Sequence, residues 1–321
     1  MGDPMNAYEL AHIRDIARHN AAVSQAIDDA MKDLSKRYQT VKGRRFSAVL
    51  EKRLAELHDQ LLADSTAGIR NQWAISNKKT NVMLDGYLAS VKISDAMQKS
   101  FRAPNLSALD AFLDRKAAGM NLSDRVWKVT EGVRGEIENI IAKGVLEGKS
   151  SVKMAKELQG YISGEPIRYA GKLIPGKNLT YQAIRLTANE MNMAFRTADY
   201  LQNSRLPFVT GVTVELSASH PENDICDSLV GEYPKGYSFT GFHPLCICIA
   251  TYNTIPSDDF VKYLQTGEMD TTKFTTDAPP QARLFIEKNG PRLLKYKNPP
   301  YFLENYTKNL TLKKSVSKIN V

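Results

Sequence analysis

No stretch of this 321-residue chain approaches the roughly 20 consecutive apolar residues that span a bilayer. The first residues mix charge with apolar side chains from Asp3 onward, so neither a signal-peptide core nor a membrane anchor is expected. Cysteine is scarce, with three residues in all, which excludes a disulfide framework and points to folding in a reducing cytoplasm. Proline is missing from residues 5–103, a run of 99 that suits long helices. There is no internal repeat and no low-complexity tract. The sequence also shows no phosphate loop, no nucleophile–base pair and no carboxylate pair at meaningful spacing, and their absence argues against an enzyme.

What is present is patterned. Leu10, Ile13, Ala17, Val23, Ile27, Met31, Leu34 and Tyr38 recur mostly at three- and four-residue steps. Phe46, Val49, Leu50, Leu54, Leu57 and Leu61 continue the rule after the turn-like TVKGRRF. A third segment carries Ile69, Trp73, Val82, Met83, Tyr87, Val91, Met97 and Phe101, with a break expected near Gly86. Residues 5–103 therefore read as an extended helical hairpin or bundle. A linker with a short helix follows. Ser123 is the expected N-cap of a helix from about Asp124 to Glu147, stopped by Gly148. A short helix to near Tyr161, a loop or hairpin over 162–178 and a helix from Thr180 to about Gln202 complete the middle of the chain.

After Pro207 the period changes. FVTGVTVELSAS alternates and is β-branched, and YSFTGF and LCICIATYN read as two further short strands. The fold class is α+β: a long N-terminal helical region, then a compact mixed domain with a small β-rich Cys/His unit and a basic tail. Domain divisions are expected at 1–120, 121–253 and 254–321.

The cysteines Cys226, Cys246 and Cys248 fall within 23 residues, with His220 and His243 in or beside that window. Cys226, His243, Cys246 and Cys248 would complete a tetrahedral structural zinc site. Two other readings stand beside it. Alternating Cys246, Cys248 and Ala250 suit a β core in which the thiols are simply buried. Alternatively, Cys226 forms a disulfide with Cys246 or Cys248. His220-Pro-Glu222 with Pro244…Cys246…Cys248 has a superficial likeness to zinc deaminases. Those hydrolases place H-x-E and P-C-x-x-C on helices, which this context does not suggest.

Residues 122–252 resemble the Mu F-like head morphogenesis domain of tailed-bacteriophage minor head proteins. LSDRVW…GEIENIIAKGVLEGKSSVKMAKEL is similar to the leading helix, turn and short helix of that family. In LTANEMNMAFRTADY, Glu190 fits the last position of the family's Arg-Thr-Glu triplet, while Ala188 and Asn189 replace the first two. Asp224, Cys226 and Gly231 fit the next segment, with Leu229 where many members have a second cysteine. His243, Pro244, Cys246 and Cys248 match the closing H-P-x-C-x-C. The resemblance implies a virion protein of the phage head that binds portal, capsid or scaffold during assembly and contacts DNA. Its rivals are a deaminase-type zinc hydrolase and a DNA-binding accessory protein outside the virion. Glu190 itself is either solvated or turned toward the 207–252 turns, Arg185 or Arg196, and the resemblance favours the second.

Net charge is +8, and residues 281–321 hold nine Lys/Arg against two acids. Such a tail implies an acidic partner. Residues 281–306 are expected to pack their aromatics on the body. Lys308, Lys313, Lys314 and Lys318 belong to an expected mobile end able to touch DNA or an acidic protein face without reading sequence.

Overall fold

The proline-free segment forms two long helices. In the computed structural model, which describes residues 4–41, 44–160, 167–169, 172–174, 179–218, 220 and 224–313, helix α1 spans Pro4–Thr40 and α2 spans Arg44–Tyr87. The second and third apolar segments are thus one helix, which ends one residue past Gly86. A 3-10 turn follows, then α3 (Asp95–Arg102), capped by the Ser94 hydroxyl at 3.2 Å from the Met97 N–H. The linker carries α4 (Leu106–Asp114).

Helix α5 spans Leu122–Leu146, and its cap is Asn121 rather than Ser123. The Asn121 side chain accepts from the Asp124 N–H at 2.8 Å, and Asp124 accepts from the Asn121 N–H at 3.0 Å. This reciprocal pair satisfies two terminal donors, which a cap at Ser123 would not do. Beyond α5 come α6 (Ser151–Gly160), the antiparallel hairpin β1 (Ile167–Tyr169) and β2 (Lys172–Ile174), and α7 (Leu179–Asn203). The remainder is β3 (Val209–Glu215), α8 (Ile225–Leu229), β4 (Gly231–Pro234), β5 (Ile249–Thr254), α9 (Ser257–Thr266) and α10 (Pro280–Leu293). The sheet order is β4–β3–β5, antiparallel throughout.

Of the three expected strands only the first lies where the alternation places it. YSFTGF is not a strand, and the last strand begins at Ile249, after both cysteines. Gly241 (φ +111°) and Leu245 (φ +62°) turn the chain away from extended geometry. The residues that pair with β3 are instead Gly231–Pro234, and Gly231 opens that strand at φ +132°, a backbone angle that a side chain disfavours.

The chain divides into two compact units that are interleaved in sequence. One comprises Arg14–Ile69 and Leu113–Met191. Within it, α1 and α2 run antiparallel: Tyr38 meets Phe46 with ring centroids 4.8 Å apart, and His19 meets Asp64 at 2.9 Å. Ile16, Val23, Ile27, Met31 and Leu34 are fully buried at helical spacing, each contributing about 1.5–3 kcal/mol of apolar burial. Helix α5 lies along α2, where Arg134 forks onto Glu51 and His58 Nε2 sits 3.1 Å from Ser123 Oγ. A methyl group at Gly68 would lie 2.7 Å from the Met191 sulfur, so the Met191 side chain of α7 rests directly on the bare backbone of α2 there.

The other unit comprises Met1–Ile13, Arg70–Phe112 and Asn192–Val321. Val212, Val214 and Tyr233 of its sheet and Cys226 of α8 share one core cluster with Ala282, Ile286 and Leu293 of α10 and with Phe302 and Tyr306. A second cluster joins Leu84, Phe101, Phe208 and Phe260, with Tyr87 stacked on Phe208 at 4.1 Å. Among the helices of this unit Lys79 is buried. Its ammonium lies 2.7 Å from Glu9, 2.8 Å from Asp199 and 3.0 Å from the Ala250 carbonyl. Burial pulls the Lys79 pKa down, but the two carboxylates outweigh it and the ammonium is held above its usual range. Burial dominates at Asp199 and pushes that carboxyl up. Beside them His12 accepts or donates between Gln72 (2.5 Å) and Asn192 (3.0 Å), and burial lowers its pKa to about 4.

The expected division of the tail holds in its first part. Phe302 and Tyr306 are buried and Phe285 packs on the same cluster, as expected for 281–306, although Tyr296 is exposed. Residues 308–313 are not a mobile end. The Thr307 N–H donates to Thr311 O at 2.7 Å, the Lys313 N–H donates to Asn305 O at 2.9 Å, and Leu310 and Leu312 pack on the core. The two leucines supply the apolar anchor that a count of lysines overlooks.

Candidate metal centre

Three chain segments build the cysteine cluster: the start of α8, the 239–248 loop that leads into β5, and α7. The segment His243-Pro-Leu-Cys246 is a tight turn closed by the Cys246 N–H on the His243 carbonyl at 3.1 Å. Proline at its second position pre-sets φ, and Leu245 takes the left-handed conformation at its third. That pattern is a type II turn, in which the third position usually falls to glycine. Leucine there costs on the order of 1–2 kcal/mol, so the surroundings must hold it.

Arg196 of α7 supplies the hold. Its guanidinium donates to the carbonyls of Cys246 (2.8 Å), Cys248 (3.0 Å) and Thr240 (3.3 Å), and it lies 4.8 Å from the centre of the Phe239 ring. A side chain at Gly241 would begin 2.5 Å from that guanidinium, so only glycine lets the loop close over it. Arg196 is one of the partners expected for Glu190, and it holds these carbonyls instead. The available signal was a lone cation in the otherwise apolar or neutral run Ala194–Ala198.

All three cysteines are buried and free. Cys226 and Cys246 Sγ atoms are 3.8 Å apart, far beyond the roughly 2.05 Å of a disulfide, which overturns that alternative. Two overlapping groups place their ligand atoms within 4.8 Å of one another: Cys226, His243 and Cys246, and His220, Cys226 and Cys248. Cys226, Cys246, Cys248 and His243 thus lie close together and could hold a metal. His220, left out of the expected ligand set, joins them.

The fit is testable on distance. Sulfurs about 2.3 Å from a shared tetrahedral ion stand about 3.8 Å from each other, the spacing found for Cys226 and Cys246. The two histidines differ in fit. His243 has both ring nitrogens engaged, Nδ1 at 2.8 Å from the Pro244 carbonyl and Nε2 at 3.0 Å from Asp224, so it could ligate a metal only by exchanging one of these acceptors for the ion. His220 Nε2 lies 3.3 Å from Asp227, the kind of carboxylate partner that orients a ligating imidazole. The thiols titrate as a unit. Contacts from Cys226 and Cys248, aided by the Arg196 charge, hold Cys246 well below the usual thiol range. The same contacts and burial push Cys226 up, and Cys248 up to about 12. A thiolate at Cys246 is the form that binds metal.

The remaining expected site residues divide. Asp224 and Pro244 partner His243, and Gly231 starts β4. Glu190 is 1% exposed but does not turn to the β unit, Arg185 or Arg196. Arg115 donates to it at 2.6 Å and Arg125 grips both its oxygens. The attraction comes from two cations on α5 and its approach, which no spacing rule links to position 190. Glu222, Lys314 and Lys318 lie outside the described residues. Lys308 is exposed, and the Lys313 ammonium donates to the Glu304 carbonyl. Cys246 and Cys248 sit on no helix, unlike the cysteines of zinc deaminases.

Ser123, His58 and Asp59 do form a hydroxyl–imidazole–carboxylate line, with 3.1 and 3.0 Å links. Yet His58 Nε2 also faces the Ser123 carbonyl at 3.3 Å, which calls for an N–H there rather than a proton-accepting lone pair. The line is a helix-to-helix clamp. Among the described residues no helix is long and apolar enough to cross a membrane. Comparison with protein-family models, curated proteins and solved structures finds no match to this chain.

Proposed function

We propose that this protein is a minor head protein of a tailed phage, acting in head morphogenesis without catalysis. In this reading it resides in the virion, binds portal and inner capsid or scaffold, and contacts DNA. The observation that carries it is the cysteine site. The residues behind the Mu F-like resemblance, Asp224, Cys226, His243, Pro244, Cys246 and Cys248, converge on one knot, its three thiols buried and the others at its rim, although they are spread over 25 residues. We further propose that the knot holds one structural zinc, with Cys226, Cys246, Cys248 and a histidine as ligands. Zinc there would tie the strained His243–Cys246 turn to α8.

Two measurements test this. Co-expression with the portal gene of the same genome should shift the protein into the portal fraction on size-exclusion chromatography. A monomer that ignores portal and scaffold would sink the head-protein reading. Elemental analysis should find close to one zinc per chain, lost in Cys246→Ser. Chelation should lower the melting temperature, because structural zinc contributes folding energy directly. Zinc-free protein with a chelator-independent melt would leave three buried thiols and no metal.

A further inference from the structure

Two carboxylates meet one buried amine in this protein, one more than an ion pair needs. Glu9 of α1, Lys79 of α2 and Asp199 of α7 are 7%, 2% and 3% exposed. The Lys79 nitrogen stands 2.7 Å from Glu9 Oε1 and 2.8 Å from Asp199 Oδ2, with the centre of the Phe195 ring 5.4 Å away. The two oxygens of Asp199 differ in their surroundings. Oδ2 faces the amine, whereas Oδ1 meets neutral donors, the Asn203 amide at 3.0 Å and the Thr80 hydroxyl at 3.4 Å.

This arrangement suits amide formation. The Asp199 carboxyl carbon lies one bond beyond Oδ2, so the amine is held beside the atom it would attack, and a fixed contact replaces a chance encounter. Asn203 and Thr80 are placed where charge would develop on Oδ1. The surroundings also drive the two carboxyls apart. Burial raises Asp199 despite the Lys79 charge. At Glu9 burial acts the same way, but Lys79, His12 and Arg196 together outweigh it and hold the group below its usual range. Such a split separates an acid from a base. A dry site penalises the two charges of an ion pair, and condensation removes both. The product's partners are already in place. Oδ1 keeps Asn203 and Thr80, and the remaining N–H can donate to the Ala250 carbonyl, 3.0 Å from the amine.

We infer that Lys79 and Asp199 become joined by a side-chain amide, made by the folded protein itself, with Glu9 as the proton carrier. The ammonium first passes one proton to Asp199, so that a neutral amine faces a neutral acid. The nitrogen lone pair then attacks Cγ and forms the C–N bond. Glu9 takes a second proton from that nitrogen and delivers it to Oδ2. The Cγ–Oδ2 bond breaks, and its electron pair leaves with the oxygen as water. One ammonium and one carboxylate thus become one amide and one water, with Glu9 restored and no co-reactant consumed. The ion pair described above is the reactant of this step. The link ties α2 to α7 by a covalent bond, and it depends neither on a metal nor on the head-protein reading.

Mass spectrometry of the intact, denatured full chain tests this. Wild type should be lighter than its sequence by one water, and a digest should yield one branched peptide joining the Lys79 and Asp199 segments. Lys79→Arg and Asp199→Ala should show the full sequence mass. Glu9→Gln should slow the appearance of the link by about a hundredfold, followed from fresh synthesis. Wild type decides even where a variant fails to fold: full mass in both fresh and stored protein overturns the inference. So does a missing water that maps elsewhere, such as an imide at Asp85-Gly86, or one that persists in Lys79→Arg. A link that forms in Glu9→Gln at the wild-type rate overturns the role given to Glu9.

Discussion

Lys79→Met is expected to destabilise the protein by about 3–5 kcal/mol, the cost of removing one partner from a buried ion pair. Among the described residues Lys79 is the one cation within ion-pair distance of Glu9, and it lies 2.8 Å from Asp199. Asp199 keeps weaker support from Thr80 at 3.4 Å and Asn203 at 3.0 Å, but Glu9 keeps little. Methionine matches the length of the lysine stem and fills its space, so the loss reports charge rather than a cavity. The urea midpoint should fall sharply. Adding Glu9→Leu to Lys79→Met should recover part of the loss, since apolar replacement of a whole ion pair is often neutral. A single variant within about 1 kcal/mol of wild type would mean that the cluster is already neutral or hydrated.

Arg196→Leu is expected to loosen the cysteine knot and to cost a comparable amount. It strips donors from three carbonyls, at about 1–3 kcal/mol for each that stays buried and unsatisfied. It also removes the charge that favours a thiolate at Cys246. Wild-type thiols, all buried, should react slowly with a disulfide reagent; the variant's should react many-fold faster and before global unfolding. Arg196→Lys should rescue only partly, because a single ammonium cannot fork across the carbonyls of Cys246 and Cys248. Unchanged thiol reactivity in Arg196→Leu would show that the loop holds its shape without α7.

Local signals in the sequence were reliable where one element decides. The absence of proline and the three–four spacing gave both long helices, and the Cys/His spacing gave the site's membership. What sequence could not supply was cross-chain geometry. Glu190 meets Arg115 and Arg125 across 75 and 65 residues, and Arg196 meets its carbonyls across 44 to 52. Such pairings depend on how helices pack, which periodicity does not encode. The strand misplacement has a different origin. β-propensity over YSFTGF and LCICI is high, but Gly241 and Leu245 take positive φ, and the loop is shaped by Arg196 and the thiols rather than by a ladder.

The row of carbonyls at Cys246, Cys248 and Ala250 has one more consequence. All three of these acceptors are occupied by cations, Arg196 for the first two, just before β5, and Lys79 for the third, inside it. β5 borders its sheet, the position from which strands recruit foreign strands and proteins aggregate. Of the three carbonyls only that of Ala250 lies in β5, and it is already taken by the buried Lys79 ammonium. A foreign strand pairing at the start of β5 would have to displace a buried cation there.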